Sequence, residues 1–254
     1  MTASTSSAQQ HVDSGGRDGG SKDEIMMSIP VVAQAENQFA VARDLADVFG
    51  VRYFEPQSRA VAEARPTNLY HYKAFIGAHE VVADAGDCVY YVAPDGRSVW
   101  LRRGPIRVES RHLATIIRGY MPDDKWTAIE QGTTLPYVNA CSTKQLFPPE
   151  RPGDPTLQLL YMPPHTSEQV HHIHSTVRVV YVQSGRGTSV VGIGEHIMRS
   201  ELVPGTVCVL EPMCPHHFET ASESLVCIPL HVFSSIGRLE FDHPMKQGTH
   251  LIEG

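Results

Sequence analysis

The feature that most constrains this chain is the tetrapeptide His171-His172-Ile173-His174 with the run behind it, Ser175-Thr176-Val177-Arg178-Val179-Val180-Tyr181-Val182-Gln183-Ser184-Gly185. His172 and His174 are two residues apart, so on a β-strand both imidazoles point to one face. The following run is rich in β-branched and aromatic residues and closes at Ser184-Gly185, the pattern of a second strand ending in a turn. A His-x-His pair on a strand offers two neutral nitrogens to a metal, and imidazole suits Zn, Cu, Fe and Ni alike. A third ligand has to come from elsewhere. The best candidate is His216, in Pro215-His216-His217-Phe218, just after the strand-like Val207-Cys208-Val209-Leu210. A one-residue slip would exchange it with His217.

By itself the pair says little in a chain with 14 histidines. What gives it weight is the order around it: His-x-His, strand, Gly turn, a second hairpin, Pro204-Gly205, strand, then Pro-His. That order resembles the cupin superfamily. Its first motif runs Gly, five residues, His-x-His, three or four residues, Glu, six residues, Gly; its second runs Gly, five residues, Pro-x-Gly, two residues, His, three residues, Asn. Here His172 and His174 take the pair, Gly185 the closing Gly, His216 the second-motif His and Thr220 the Asn position. The stretch from Gly192 to Gly205 resembles the hairpin between the motifs. Thr166 replaces the opening Gly, Glu211 the Pro, Met213 the second Gly, and Arg178 stands where the metal-binding Glu usually is.

The resemblance covers residues 160–233 and implies a mainly β fold, the cupin double-stranded β-helix or jelly-roll barrel of the metal-binding three-histidine type. It implies a divalent metal on His172, His174 and His216, with Fe(II) leading and Zn, Mn and Ni as alternatives. The implied activity is that of a non-haem iron dioxygenase. The alternatives are a redox-neutral isomerase, epimerase or lyase, and a non-catalytic small-molecule binding module. Cupins commonly pair through barrel edges, so a homodimer is an expected partner state. Fold alone does not name a reaction.

Three neutral imidazoles without a carboxylate leave a divalent ion near +2, which favours a small anionic substrate, and leave coordination positions open as catalytic sites do. If the strand alternates, Arg178, Val180 and Val182 face the same side as the ligands. A guanidinium beside a cationic metal is a poor arrangement unless an anion bridges them. Arg178 is therefore the candidate catalytic-site residue, receiving a substrate carboxylate. The other reading is a salt bridge across the barrel to an acid the sequence does not identify. His171 is expected to face away from the metal, His165 reads as a solvated loop histidine or else as a residue of the entrance, and Tyr161 and Phe218 as ordinary core or else as pocket walls. Cys214, two residues before His216, is the thiol nearest the site.

The remainder of the chain sets the frame. With 41% hydrophobic and 19% charged residues the composition is globular. A net charge of −7 and a pI near 6.0, without a basic cluster, exclude nucleic acid and anionic membranes as expected partners. Five widely spaced cysteines with no Cys-x-x-Cys argue against a disulfide framework or a cysteine zinc site. The first residues lack the apolar core of a secretory signal, so the expected compartment is the reducing cytoplasm.

Residues 1–24 are Ser/Thr/Gly/Gln-rich and read as a disordered tail. Residues 25–125 read as an α/β region, either a cap or a degenerate second cupin half that has lost its metal, and 126–254 as the metal-binding barrel. Helical spacing predicts a helix from Ala33 to Phe49 capped by Gly50, and a shorter one over 58–64. Cys88–Ala93 and Ser98–Leu101 around Asp95-Gly96 predict a hairpin. Arg111–Arg118 fits a short helix or a strand equally.

Overall fold

The computed structural model describes residues 44–251 apart from 67, 69–70, 131–134, 152 and 233–248. A five-residue helix, α1 (Leu45–Phe49), leads into β1 (Val51–Phe54). Eight strands follow: β2 (Ala60–Glu63), β3 (Tyr72–Ile76), β4 (His79–Ala83), β5 (Asp87–Val92), β6 (Ser98–Arg103), β7 (Ile106–Ser110), β8 (Leu113–Arg118) and β9 (Lys125–Ala128). After the short β10 (Leu135–Pro136) come β11 (Ser142–Phe147), β12 (Thr156–Met162), β13 (His172–His174), β14 (Arg178–Gly185) and β15 (Gly187–Ile193). The last are β16 (His196–Leu202), β17 (Val207–Leu210), β18 (His216–Glu219), β19 (Leu225–His231) and β20 (Thr249–Leu251).

The second half is a double-stranded β-helix. One sheet has the order β1-β17-β14-β19-β12-β11-β10 and the other β16-β15-β18-β13-β20, and the pairings are antiparallel. The first half repeats this plan. Its six-stranded order, β2-β3-β8-β5-β6-β9, matches β11-β12-β19-β14-β17-β1 strand for strand, and its two-stranded β4-β7 matches β13-β18. Among the described residues it has no counterpart of the β15–β16 hairpin, because β5 turns directly into β6 at Pro94-Asp95-Gly96. The first half is thus a reduced β-helix rather than an α/β cap.

Three buried clusters organise the packing. One lies between the large sheets of the two halves and joins Tyr72, Ile76, Tyr90 and Ile117 to Leu157, Val179, Tyr181 and Ile228. A second fills the second barrel with Leu160, Met162, Val180, Val182, Leu210 and Phe218. The third fills the first half with Val81, Ala83, Val89, Val108, Ala114 and Ile116. Strand alternation makes this possible: along β14, Val179 and Tyr181 face the other half while Val180 and Val182 face their own barrel.

Two helix expectations change. Leu45–Phe49 is helical, with the Asp44 side chain accepting from the Ala46 N–H and Gly50 in the left-handed region at φ 73°, but residues 33–43 lie outside the described residues. Residues 58–64 hold no helix: Ala60–Glu63 is a strand paired to β3, with Ala62 fully buried. So short a segment does not sustain a helix alone, whereas an edge position beside β3 satisfies its backbone. Leu113–Arg118 resolves as a strand between β3 and β5, and the hairpin around Asp95-Gly96 forms as expected.

Candidate metal centre

β13 is only three residues long, and its alternation buries His172 and His174 while leaving Ile173 half-exposed. β18 alternates likewise, with His216 and Phe218 inside and His217 and Glu219 outside. The two strands pair antiparallel with His172 directly opposite His216, so three imidazoles enter the barrel from adjacent strands. Ring centroids lie 4.5 Å apart for His172 and His216, 4.7 Å for His172 and His174, and 5.2 Å for His174 and His216. One nitrogen from each falls within 4.8 Å of the others, and the Nε2 atoms of His172 and His174 are 3.1 Å apart. Nitrogens each about 2 Å from one ion lie about 3 Å apart, the separation that the His172–His174 pair already has.

Hydrogen bonding orients the rings for that role. His172 Nδ1 lies 2.9 Å from the Val170 carbonyl and His216 Nδ1 lies 2.8 Å from that of Cys214. A carbonyl only accepts, so each Nδ1 carries the proton and each Nε2 lone pair is turned into the barrel, the usual second partner of a metal-ligating imidazole. Burial pushes His172 down to about 4 and His174 and His216 well below the ordinary imidazole value, with nearby Arg178 adding to it. The rings are therefore neutral at physiological pH, as ligands must be. The donor set fits a divalent ion.

Arg178 is buried and faces the same interior as Val180 and Val182. On the sheet it lies between Leu210 of β17 and His231 of β19. His231, also buried, has its ring centroid 6.5 Å from that of His174. Glu168, in the loop before β13, is buried as well; its N–H donates to the Phe218 carbonyl at 2.9 Å. Burial raises the Glu168 carboxyl to about 7, opposed by a backbone hydrogen bond from Phe218 and by the charge of Arg178. Burial lowers Arg178, opposed by Glu168 and Tyr137. Yet the two charges make no direct ion pair: Glu168 Oε2 and Arg178 Nη1 each lack a hydrogen-bond partner among the described residues. A buried polar group left so costs about 1–3 kcal/mol.

The other residues singled out from the sequence fall as follows. His217 points outward, its Nδ1 2.8 Å from that of His171 and its Nε2 2.9 Å from Glu219, so His171 and His217 both face away from the barrel interior. Cys214 contributes its carbonyl to His216, while burial pushes its thiol up to about 12. Phe218 lines the barrel, its ring centroid 6.1 Å from that of His216. Tyr161 does not: it packs against the cluster between the two halves, because odd positions of β12 face that way. His165 is exposed on the surface and lies outside the cluster of rings. Glu168 and His231 carry no motif, although His231 shares the inward parity of Cys227 along β19.

In the first half the corresponding strand pair β4–β7 places Val81 opposite Val108, and an apolar cluster takes the space of the histidines. The repeated strand order and the His172–His216 register decide the assignment. The fold is that of a cupin. No family model matches the sequence, and no curated protein matches it either. Among solved structures, the chain is similar to a polyketide cyclase from Streptomyces resistomycificus (18% identity, TM-score 0.32, 36% of this chain and 63% of that one). A cupin 2 conserved barrel domain protein from Rhodopseudomonas palustris matches at 18% identity and TM-score 0.35, over 48% of this chain and 72% of that one. A putative glyoxylate-induced protein from Pseudomonas aeruginosa matches at 12% identity and TM-score 0.49, over 71% and 79%. The fold assignment rests on strand order and register, not on these scores. Among the described residues no helix is long and apolar enough to cross a membrane.

Proposed function

We propose that this cupin is a metal-dependent enzyme, a non-haem iron(II) dioxygenase acting on a small anionic organic substrate. The observation that carries the reading is the convergence of three neutral imidazoles, without a carboxylate in their cluster, beside a buried guanidinium whose Nη1 is unpartnered among the described residues. Iron(II) held there would supply the redox chemistry. The chain supplies the rest. His172, His174 and His216 would hold the ion, and the Val170 and Cys214 carbonyls fix the ring tautomers of the first and last. Arg178 would receive the substrate carboxylate, and Val180, Leu210 and Phe218 form the apolar wall that keeps water away.

Oxygen uptake by anaerobically iron-loaded protein, screened over small organic acids, tests this. Uptake that depends on both iron and acid supports it; binding of zinc or manganese alone with no uptake overturns it. A second reading is favoured by Glu168. A buried carboxyl held near neutrality suits proton transfer, which a redox-neutral isomerase, epimerase or lyase needs while its ion acts as a Lewis acid. Such an enzyme would turn over without oxygen and with several divalent ions.

A further inference from the structure

Seven of the partnerless buried polar atoms among the described residues belong to the second half. Gln183 Oε1 faces the first half, where its Nε2 donates to the Gly96 carbonyl; the other six are Gln158 Nε2 and Oε1, Glu168 Oε2, Thr176 Oγ1, Arg178 Nη1 and His231 Nε2. Their positions concentrate them in the barrel. Gln158 shares its face of β12 with Leu160 and Met162, Arg178 its face of β14 with Val180 and Val182, and His231 its face of β19 with Cys227. Glu168 is buried in the loop before β13, tied by its N–H to the carbonyl of Phe218, a residue of the barrel cluster. Buried polar groups without partners are uncommon, and a cluster of them marks where a bound molecule makes their hydrogen bonds. The most telling members are Glu168 and Arg178, opposite charges that share one barrel and do not close on each other.

We infer that Arg178 and Glu168 form a two-point clamp selecting a small carboxylic acid that also carries a hydroxyl or ammonium group. Arg178 Nη1 donates to the substrate carboxylate, and Glu168 Oε2 accepts from the O–H or N–H on the same molecule. Gln158, with a donor and an acceptor both open, contacts either end. The inference rests on the reading of Arg178 given above and adds Glu168 as the specificity-determining residue. A polar site of this kind rejects a ligand lacking the matching group because its own acceptor is then left unpaired.

The test is calorimetric binding of acetate, glycolate and glycine to zinc-loaded protein, in which no redox turnover competes. Wild type is expected to bind glycolate, glycine or both about tenfold more tightly than acetate. Preference for glycolate alone assigns a hydroxyl to Glu168, and for glycine alone an ammonium. Glu168→Leu, which has no acceptor, is expected to keep its zinc and its acetate affinity while the preference collapses, and Arg178→Gln to lose all three acids. Equal wild-type affinities overturn the clamp. So does a preference that persists in Glu168→Leu, since chelation by the metal then explains it. The same titration in metal-free His172→Ala keeps the clamp testable if Glu168→Leu does not fold: there the preference must survive, and its disappearance overturns the proposal. Failure of wild type to hold any metal would instead overturn the metal-enzyme reading alone.

Discussion

His172 and His216 sit directly opposite each other on β13 and β18, and each directs its Nδ1 to the carbonyl two residues before it, Val170 and Cys214. Two strands thus present the same local device, and with His174 they bring three ring nitrogens within 4.8 Å of one another. The neighbour His217 is bonded to His171 and Glu219 on the outer face. His217→Ala should therefore leave metal content unchanged, and elemental analysis beside the wild type checks it. Loss of metal in that variant would mean that β18 presents its other face.

Acid should weaken the metal-free protein. His172 is held at about 4 against 6.5 for an unperturbed imidazole, and His174, His216 and His231 lie well below that value. Between the folded and unfolded values the unfolded chain takes up protons that the barrel refuses, so stability drops as pH falls from about 6.5 towards 4. Glu168, raised from 4.5 to about 7, acts oppositely: its contribution is whole at low pH and lost as pH rises through about 7. Four histidines outweigh one carboxyl, so urea midpoints should decline from pH 7 to pH 5, and more steeply in Glu168→Gln. A midpoint that rises on acidification would contradict this.

Arg178→Met separates a binding role from a structural one. Breaking a close buried ion pair costs about 3–5 kcal/mol; Arg178 is in no close ion pair among the described residues and its Nη1 has no hydrogen-bond partner there, so its burial is itself costly and its removal is offset. Thermal unfolding without ligand should therefore shift by less than about 1 kcal/mol in either direction, or rise. The stabilisation that small carboxylates give the wild type should vanish. A loss of several kcal/mol would make Arg178 a strut of the barrel.

Gly185 ends β14 at φ 78°, and a Cβ there would stand 1.8 Å from the Ser224 carbonyl oxygen. Gly185→Ala should destabilise the second barrel by at least about 1–3 kcal/mol, since both the backbone region and the close approach forbid it. Denaturant unfolding of the variant measures it. An unchanged midpoint would place the β14–β15 turn elsewhere.

The second barrel was legible because its motif residues do local work. The two-residue spacing of His172 and His174, the turn at Gly185 and the Pro-His before β18 each fix a direction or a bend within a few residues. His231 and Glu168 were not legible, because what distinguishes them is burial beside Arg178, reached through pairings distant in sequence. The first half hid its β-helix plan for a related reason. Its interior is apolar, so nothing chemical marks the strand positions, and the segment over 58–64 carries helical spacing that pairing with β3 overrides. Tyr161 shows the limit of proximity in sequence: it lies in a strand lining the barrel, but its parity sends it to the other face.

The most direct measurement is the metal content of anaerobically purified protein, determined by mass spectrometry beside His172→Ala, His174→Ala and His216→Ala. The three-histidine centre predicts near-stoichiometric iron in the wild type and little in each variant, with all four proteins folded. Well-folded wild type that holds no divalent metal even after reconstitution, or variants that keep it, would contradict the centre.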